Sequence, residues 1–223
     1  MKRIVFAILA AVLLSACSET RENVELSLIP VSVNGTFRYI SVPGGELVGE
    51  QYSQASYFRE GVALVQKNGL WLVIDKEFNP ITGEVKMPQI MEPAYSSRPR
   101  AAKDPSRGLY GYKGMAGKWA IAPTYKYAEP FCDGLAVVRA NIRFQTKCGL
   151  LKKSEAFAIP PIYDEMYRIG PKTYIVRIGG DCGIVFADGT PLIPLNRSYR
   201  FTVPEDDARL YEAAAIAQPA QTQ

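Results

Sequence analysis

Few residues in this chain could carry out chemistry. Its 223 residues include no histidine, which removes Ser-His-Asp and Cys-His nucleophiles, histidine acid–base catalysis and the usual zinc sites. Carboxylates remain. Glu129 with Asp133, and the adjacent Asp164 and Glu165, are the residue types that a sugar hydrolase pairs as acid and base. Glu60 and Asp133, however, recur at one place in two similar stretches, Phe58-Arg59-Glu60-Gly61 and Phe131-Cys132-Asp133-Gly134. That recurrence predicts surface turns. Gly111, Gly114, Gly117 and Lys118 gather like a phosphate loop, but Tyr112 and Trp119 stand where a Walker motif needs Gly and Ser or Thr. With no Gly-x-Ser-x-Gly, Ser-x-x-Lys or calcium-loop spacing, the expectation is no catalytic residue, no metal and no cofactor.

The start of the chain carries a different chemistry. Lys2 and Arg3 precede an apolar run from Ile4 to Leu14, 14 − 4 + 1 = 11 residues, against the roughly 20 of a spanning helix. It reads as an export signal. Leu14-Ser15-Ala16-Cys17 resembles the bacterial lipobox: a Leu three before a Cys, small residues between them, and a thiol that receives a diacylglycerol. The resemblance implies cleavage after Ala16, lipid on Cys17, a signal peptide over 1–16 and a lipidated tether over 17–32. Each buried acyl methylene contributes about 0.8 kcal/mol, so several chains together hold a water-soluble body to a membrane. Ser18, in place of the Asp of an inner-membrane retention signal, favours the outer membrane facing the periplasm in a host with two membranes.

Loss of the leader leaves 26 − 2 = 24 basic and 22 acidic side chains. That near-balance, in an exported chain, argues against a nucleic-acid partner. Cys132, Cys148 and Cys182 are an odd set in a compartment where disulfides persist. Cys148 and Cys182, each directly before a glycine, are the candidate bridge, and buried apolar thiols are the alternative.

These residues need a scaffold, and self-comparison shows its plan. Phe58 to Val65 matches Phe131 to Val138 in order, with Tyr52 and Ala55 upstream of one and Tyr125 and Ala128 upstream of the other. Glycine-led strands begin at 35, 69, 108, 149 and 183, a spacing that marks a repeat architecture. The unit resembles the WG (KWG) repeat family, best in Gly108 to Val138, with Tyr110-Gly111-Tyr112, Gly117-Lys118, Ile121-Ala122-Pro123, Tyr125, Ala128, Phe131 and Gly134-Leu135-Ala136-Val137-Val138. The resemblance implies architecture and no specific activity. Physical signals agree: Asn68-Gly69 between two β-rich runs is a tight hairpin, and no long 3.6-residue period appears between Val33 and Leu195.

The expected fold is therefore all-β: tandem antiparallel hairpin or meander repeats over 33–200, forming a propeller-like or open curved array. An irregular insert interrupts it at about 91–107. Thr202-Val203-Pro204-Glu205 has capping-box spacing and predicts a short C-terminal helix from about Pro204 to Ala217 within 201–223, covering a sheet edge, with Gln218 to Gln223 frayed. Around the insert, Tyr95, Arg98, Arg100, Arg107, Tyr110, Tyr112 and Trp119 combine the residue types of binding hot spots and form the expected partner surface. The functional expectation is a non-catalytic, membrane-anchored binding or scaffolding module for an envelope protein or glycan. An immunity lipoprotein that occludes an exported toxin and a cell-wall hydrolase are the competing readings.

Overall fold

The computed structural model describes residues 24–83, 85–91 and 93–217; the leader, Ala16, Cys17 and Gln218 to Gln223 lie outside them. A short β1 (Val24–Glu25) precedes the meander β2 (Leu28–Val33), β3 (Thr36–Ser41) and β4 (Leu47–Tyr52). Next come β5 (Gln54–Ala55), β6 (Phe58–Arg59), β7 (Ala63–Lys67) and β8 (Leu70–Ile74), then β9 (Arg100–Lys103), β10 (Tyr110–Lys113) and β11 (Trp119–Tyr125). Two longer meanders follow: β12 (Tyr127–Ala128), β13 (Leu135–Ile142), β14 (Gln145–Lys152) and β15 (Phe157–Tyr163), then β16 (Glu165–Gly170), β17 (Thr173–Ile178), β18 (Asp181–Phe186) and β19 (Pro191–Asn196). The chain ends with β20 (Tyr199–Phe201) and α1 (Pro204–Ala217). The all-β expectation with one terminal helix is what the structure shows. Among the described residues no helix is long and apolar enough to cross a membrane.

Five antiparallel sheets of three or four strands are ordered β20-β2-β3-β4, β5-β7-β8, β11-β10-β9, β12-β13-β14-β15 and β16-β17-β18-β19, beside the small β1-β6 pair. Because β20 pairs with β2, Val31 opposite Phe201 and Ser32 opposite Arg200, both ends of the repeat domain share one sheet. Short meanders have two faces and too few residues to cover either, so the core lies between sheets. Ile29 and Ile40 meet Ile175 and Ile184; Val137 and Leu150 meet Met166 and Val176; Tyr112 and Ile121 meet Phe131 and Val138; Tyr39 and Tyr52 meet Phe58 and Val65. These four contacts link all five sheets into an open, propeller-like circuit. Between β5-β7-β8 and β9-β10-β11 no such cluster occurs among the described residues, and the irregular stretch from Ile81 to Pro99 joins them.

All five units keep one register. Arg38, Leu72, Gly111, Gly149 and Gly183 face Val31, Val65, Ala102, Val138 and Val176. At three of these positions glycine is required because the next strand passes too close: a Cβ on Gly111 would lie 2.6 Å from the Ile121 carbonyl, on Gly149 2.7 Å from the Pro161 nitrogen, and on Gly183 2.8 Å from the Ile193 carbonyl. This corrects the sequence alignment of the last two units. Gly149 and Gly183 correspond to Gly111, not to the turn glycines Gly35, Gly69 and Gly108. The turn glycine of the final unit is Gly180 (φ 92°), and Asn68 and Gly69 adopt the positive φ values, 51° and 79°, that the tight hairpin requires.

Two further boundaries move. The segment 17–32 is not all tether, since β1 and most of β2 fall inside it. The insert is not irregular to residue 107, because β9 pairs along its length with β10. The helix spans the expected residues and lies against β5 and β16, the first strands of their sheets. It lacks the capping box: the Thr202 hydroxyl has no hydrogen-bond partner among the described residues, and the first turn closes instead through the Asp207 N–H to the Val203 carbonyl at 3.0 Å.

The glycine constraint predicts a contrast within one segment. Gly111→Ala should cost about 1–3 kcal/mol or more through backbone overlap, whereas Gly114→Ala, whose Cβ would meet the Ala120 methyl at 3.4 Å and the Lys118 carbonyl at 3.9 Å, should stay within about 0.5 kcal/mol of the parent. Urea midpoints at constant slope measure both.

Candidate functional site

The first strand of four sheets places a similar residue against the second strand: Ala55 faces Val65, Ala128 faces Val138, Met166 faces Val176 and Phe201 faces Val31. Strand alternation turns the following residue the other way, so Ser56, Glu129, Tyr167 and Thr202 occupy equivalent places in their units, and Glu129 and Tyr167 of these meet at one opening. Here a cavity of about 410 Å³ lies between the inner strands, the irregular segment and the start of α1. Tyr95, Tyr127 and Tyr167 supply ring faces, Met91 and Pro93 apolar surface, and Glu129 and Glu205 carboxylates.

The helix is fixed there by a buried ion pair. Arg59 Nη2 lies 2.6 Å from Asp207 Oδ2, with side chains 5% and 1% exposed. The Tyr57 N–H donates to Asp207 Oδ1 at 3.0 Å, and the Tyr57 hydroxyl donates to the Thr202 carbonyl at 2.8 Å. Arg59 Nη1 also donates to the Tyr211 hydroxyl at 3.3 Å, with the guanidinium 5.5 Å from the Tyr211 ring centre. Burial raises the Asp207 carboxyl above its ordinary value against the opposing pull of Arg59 and the Tyr57 N–H. Asp207, in the first turn of α1, is thus a tertiary anchor.

Glu129 is the electrostatically unusual group of the cavity. Burial, helped by the negative charge of Glu205, pushes its carboxyl up to about 7, against the pull of Arg139 and Arg168. Its strand is held from below, where the Tyr112 hydroxyl donates to the Glu129 backbone carbonyl at 2.8 Å. The other acids considered from sequence have structural partners. Asp133 sits in a turn at φ 51° and pairs with Arg168 at 2.8 Å. Asp164 pairs with Lys147 at 2.5 Å and accepts the Gly179 N–H, which together hold its carboxyl below the ordinary range. Glu165 pairs with Arg177 at 2.6 Å.

The expected partner surface does not form as one patch. Tyr95 lines the cavity and is 50% exposed. Arg98 donates to the Gly114 carbonyl at 3.0 Å, Arg100 lies on β9, and Arg107 is exposed before β10. Trp119 is exposed at the start of β11 with the Lys113 ammonium 5.0 Å from its ring centre. Tyr110 is half-buried, 5.7 Å from the Tyr127 ring. Tyr112 is a core residue with no exposure, packed 4.5 Å from the Phe131 ring, and leaves the proposed surface altogether. Cys148 and Cys182 are unbridged buried thiols, as is Cys132. They hold equivalent places in successive units, so each points into a different inter-sheet core. Among the cavity-lining residues that sequence reading passed over, Tyr57 and Arg59 are signalled only by their place in the repeat, and Glu205 by its place in the first turn of α1. Among the described residues no group of three potential ligands is arranged to hold a metal ion.

Two family models match the chain: a prokaryotic membrane lipoprotein lipid attachment site over residues 1–18, and the WG containing repeat over residues 45–71 and 110–141. No curated protein matches it.

Two expected outcomes follow from the site. Asp207→Asn strands the Arg59 charge in the interior and should lower stability by about 3–5 kcal/mol, much of it recovered when Arg59→Met is combined with Asp207→Leu; equilibrium unfolding measures both. For Glu129, the unfolded chain releases its proton near 4.5 and the folded chain holds it up to about 7. The folded state therefore binds more protons between these values, and stability falls as pH rises through that window. Glu129→Gln should flatten that slope in a series of urea midpoints.

Proposed function

We propose that this WG-repeat bacterial lipoprotein, lipid-anchored in the cell envelope through Cys17, is a non-catalytic binding module whose central cavity receives part of a protein or glycan partner. The observation that carries this reading is the cavity: Glu129 and Tyr167, equivalent residues of two successive repeats, meet at one opening with the exposed Tyr95 and Tyr127 rings, a composition suited to peptide and sugar surfaces. The engagement of Asp133, Asp164 and Glu165 in ion pairs supports a non-catalytic role. A protein body tethered by lipid at one end can meet envelope partners without spanning the membrane, and in a host with two membranes the reading places it on the outer membrane, facing the periplasm.

One observation favours a second reading. Glu129, raised to about 7 in a cleft, has the acidity of a general acid, and a wall-directed hydrolase would use it with a second carboxylate. The two readings separate experimentally. The lipidated protein is captured from its own membranes after crosslinking, beside Cys17→Ala and a Tyr95→Ala, Tyr127→Ala double variant. Loss of a specific partner from the double variant is expected. Capture unchanged by the double variant overturns the cavity as the recognition point, and turnover of wall glycan that vanishes with Glu129→Gln overturns the non-catalytic reading.

A further inference from the structure

The helix that walls the central cavity has a second side. Asp206, Arg209 and Leu210 belong to a separate cavity of about 420 Å³, enclosed by α1 together with β2, β5, β17 and β20. None of its lining residues is shared with the cavity around Glu129. Three guanidinium groups reach it from three elements: Arg177 from β17, Arg200 from β20 and Arg209 from α1. Asp206 is the one carboxylate in this wall, and Arg209 Nη1 donates to it at 3.1 Å. The lining is therefore net positive, whereas the unpaired charge of the other cavity, on Glu129 and Glu205, is negative.

The donors are only partly used. Each guanidinium carries five N–H donors. Arg177 gives Nη1 to Glu165 at 2.6 Å, interacts with the Cys182 side chain and lies 5.7 Å from the Tyr167 ring centre. Arg200 gives Nη1 to the carbonyls of Arg197 and Tyr199 at 2.8 and 2.7 Å. Thr202, 7% exposed, contributes a hydroxyl that has no partner among the described residues. Three arginines against one carboxylate make this a wall suited to acceptor oxygens. Planar guanidinium forks match carboxylate and phosphate geometry in particular.

We propose that this cavity binds an oxyanion, the carboxylate or phosphate group of a small ligand, held by Arg177, Arg200 and Arg209 with Thr202 as a neutral contact. The site is independent of partner recognition on the other side of α1. The test titrates the full-length lipidated protein, in a neutral detergent and at constant ionic strength, with inorganic phosphate and separately with acetate, followed by calorimetry. Saturable binding of at least one is expected, weakened at least about tenfold when Arg200→Gln and Arg209→Gln are combined, since each removes a charge-assisted hydrogen bond. Both residues are solvent-exposed, and unchanged urea midpoints verify that the variant is folded. Thr202→Val, nearly isosteric, weakens binding by a smaller factor. Saturation by phosphate alone assigns a phosphate ligand, and saturation by acetate alone a carboxylate. Failure of both to saturate, or equal affinity in the double variant, overturns the proposal.

Discussion

Everything central to this molecule depends on the contact between Arg59 and Asp207. One charge comes from the strand pair beside the second sheet and the other from the first turn of the C-terminal helix, and together they hold that helix across the inner strands. An ion pair so buried contributes little net stability compared with apolar residues of the same shape, because removing two charges from water offsets their attraction. What it contributes is position. The Tyr57 N–H and hydroxyl accept no other geometry for the Thr202 to Asp207 segment, and the helix so placed divides the centre of the circuit into an acidic, tyrosine-lined space and a basic one.

The sheets around it are governed by a steric rule rather than an electrostatic one. In three units the third strand of the repeat runs so close to its neighbour that only glycine fits. The two units with Arg38 and Leu72 at that register use the place for a side chain instead: Arg38 donates to the Leu47 and Gly49 carbonyls of β4, and Leu72 packs against the core around Tyr39. Packing between sheets then completes what no single meander can bury. Tyr39, Tyr112 and Tyr174 are nearly wholly enclosed, and burial raises each phenol above its ordinary value, Tyr174 to about 12.

Features set by neighbours in sequence were legible from the sequence. The Asn68-Gly69 hairpin, the Pro204 helix start and the Glu60 and Asp133 turns all rest on local backbone preferences. The leading glycines misled because glycine recurs here for two different reasons, positive φ in the turns and absence of a Cβ inside the strands, and spacing alone does not tell them apart. The site was mostly hidden. Arg59 and Asp207 are 148 residues apart, and neither stands out by type. Tyr112 looked like a surface aromatic beside the insert, yet strand alternation turns it inward. Glu129 was noticed as an acid, but its perturbation comes from burial and from Glu205, which only the folded chain brings near.

The pairing of β20 with β2 has a consequence for how such a protein is made. A chain secreted with its amino end leading exposes β2 early and Tyr199–Phe201 last, so the sheet that the two ends share cannot be completed until almost the whole polypeptide has crossed. During that interval β2 offers an unpaired edge and a half-covered apolar face. For a chain that crosses a membrane in this order, the shared sheet is completed only after translocation, and the first strands wait through that interval without their partner.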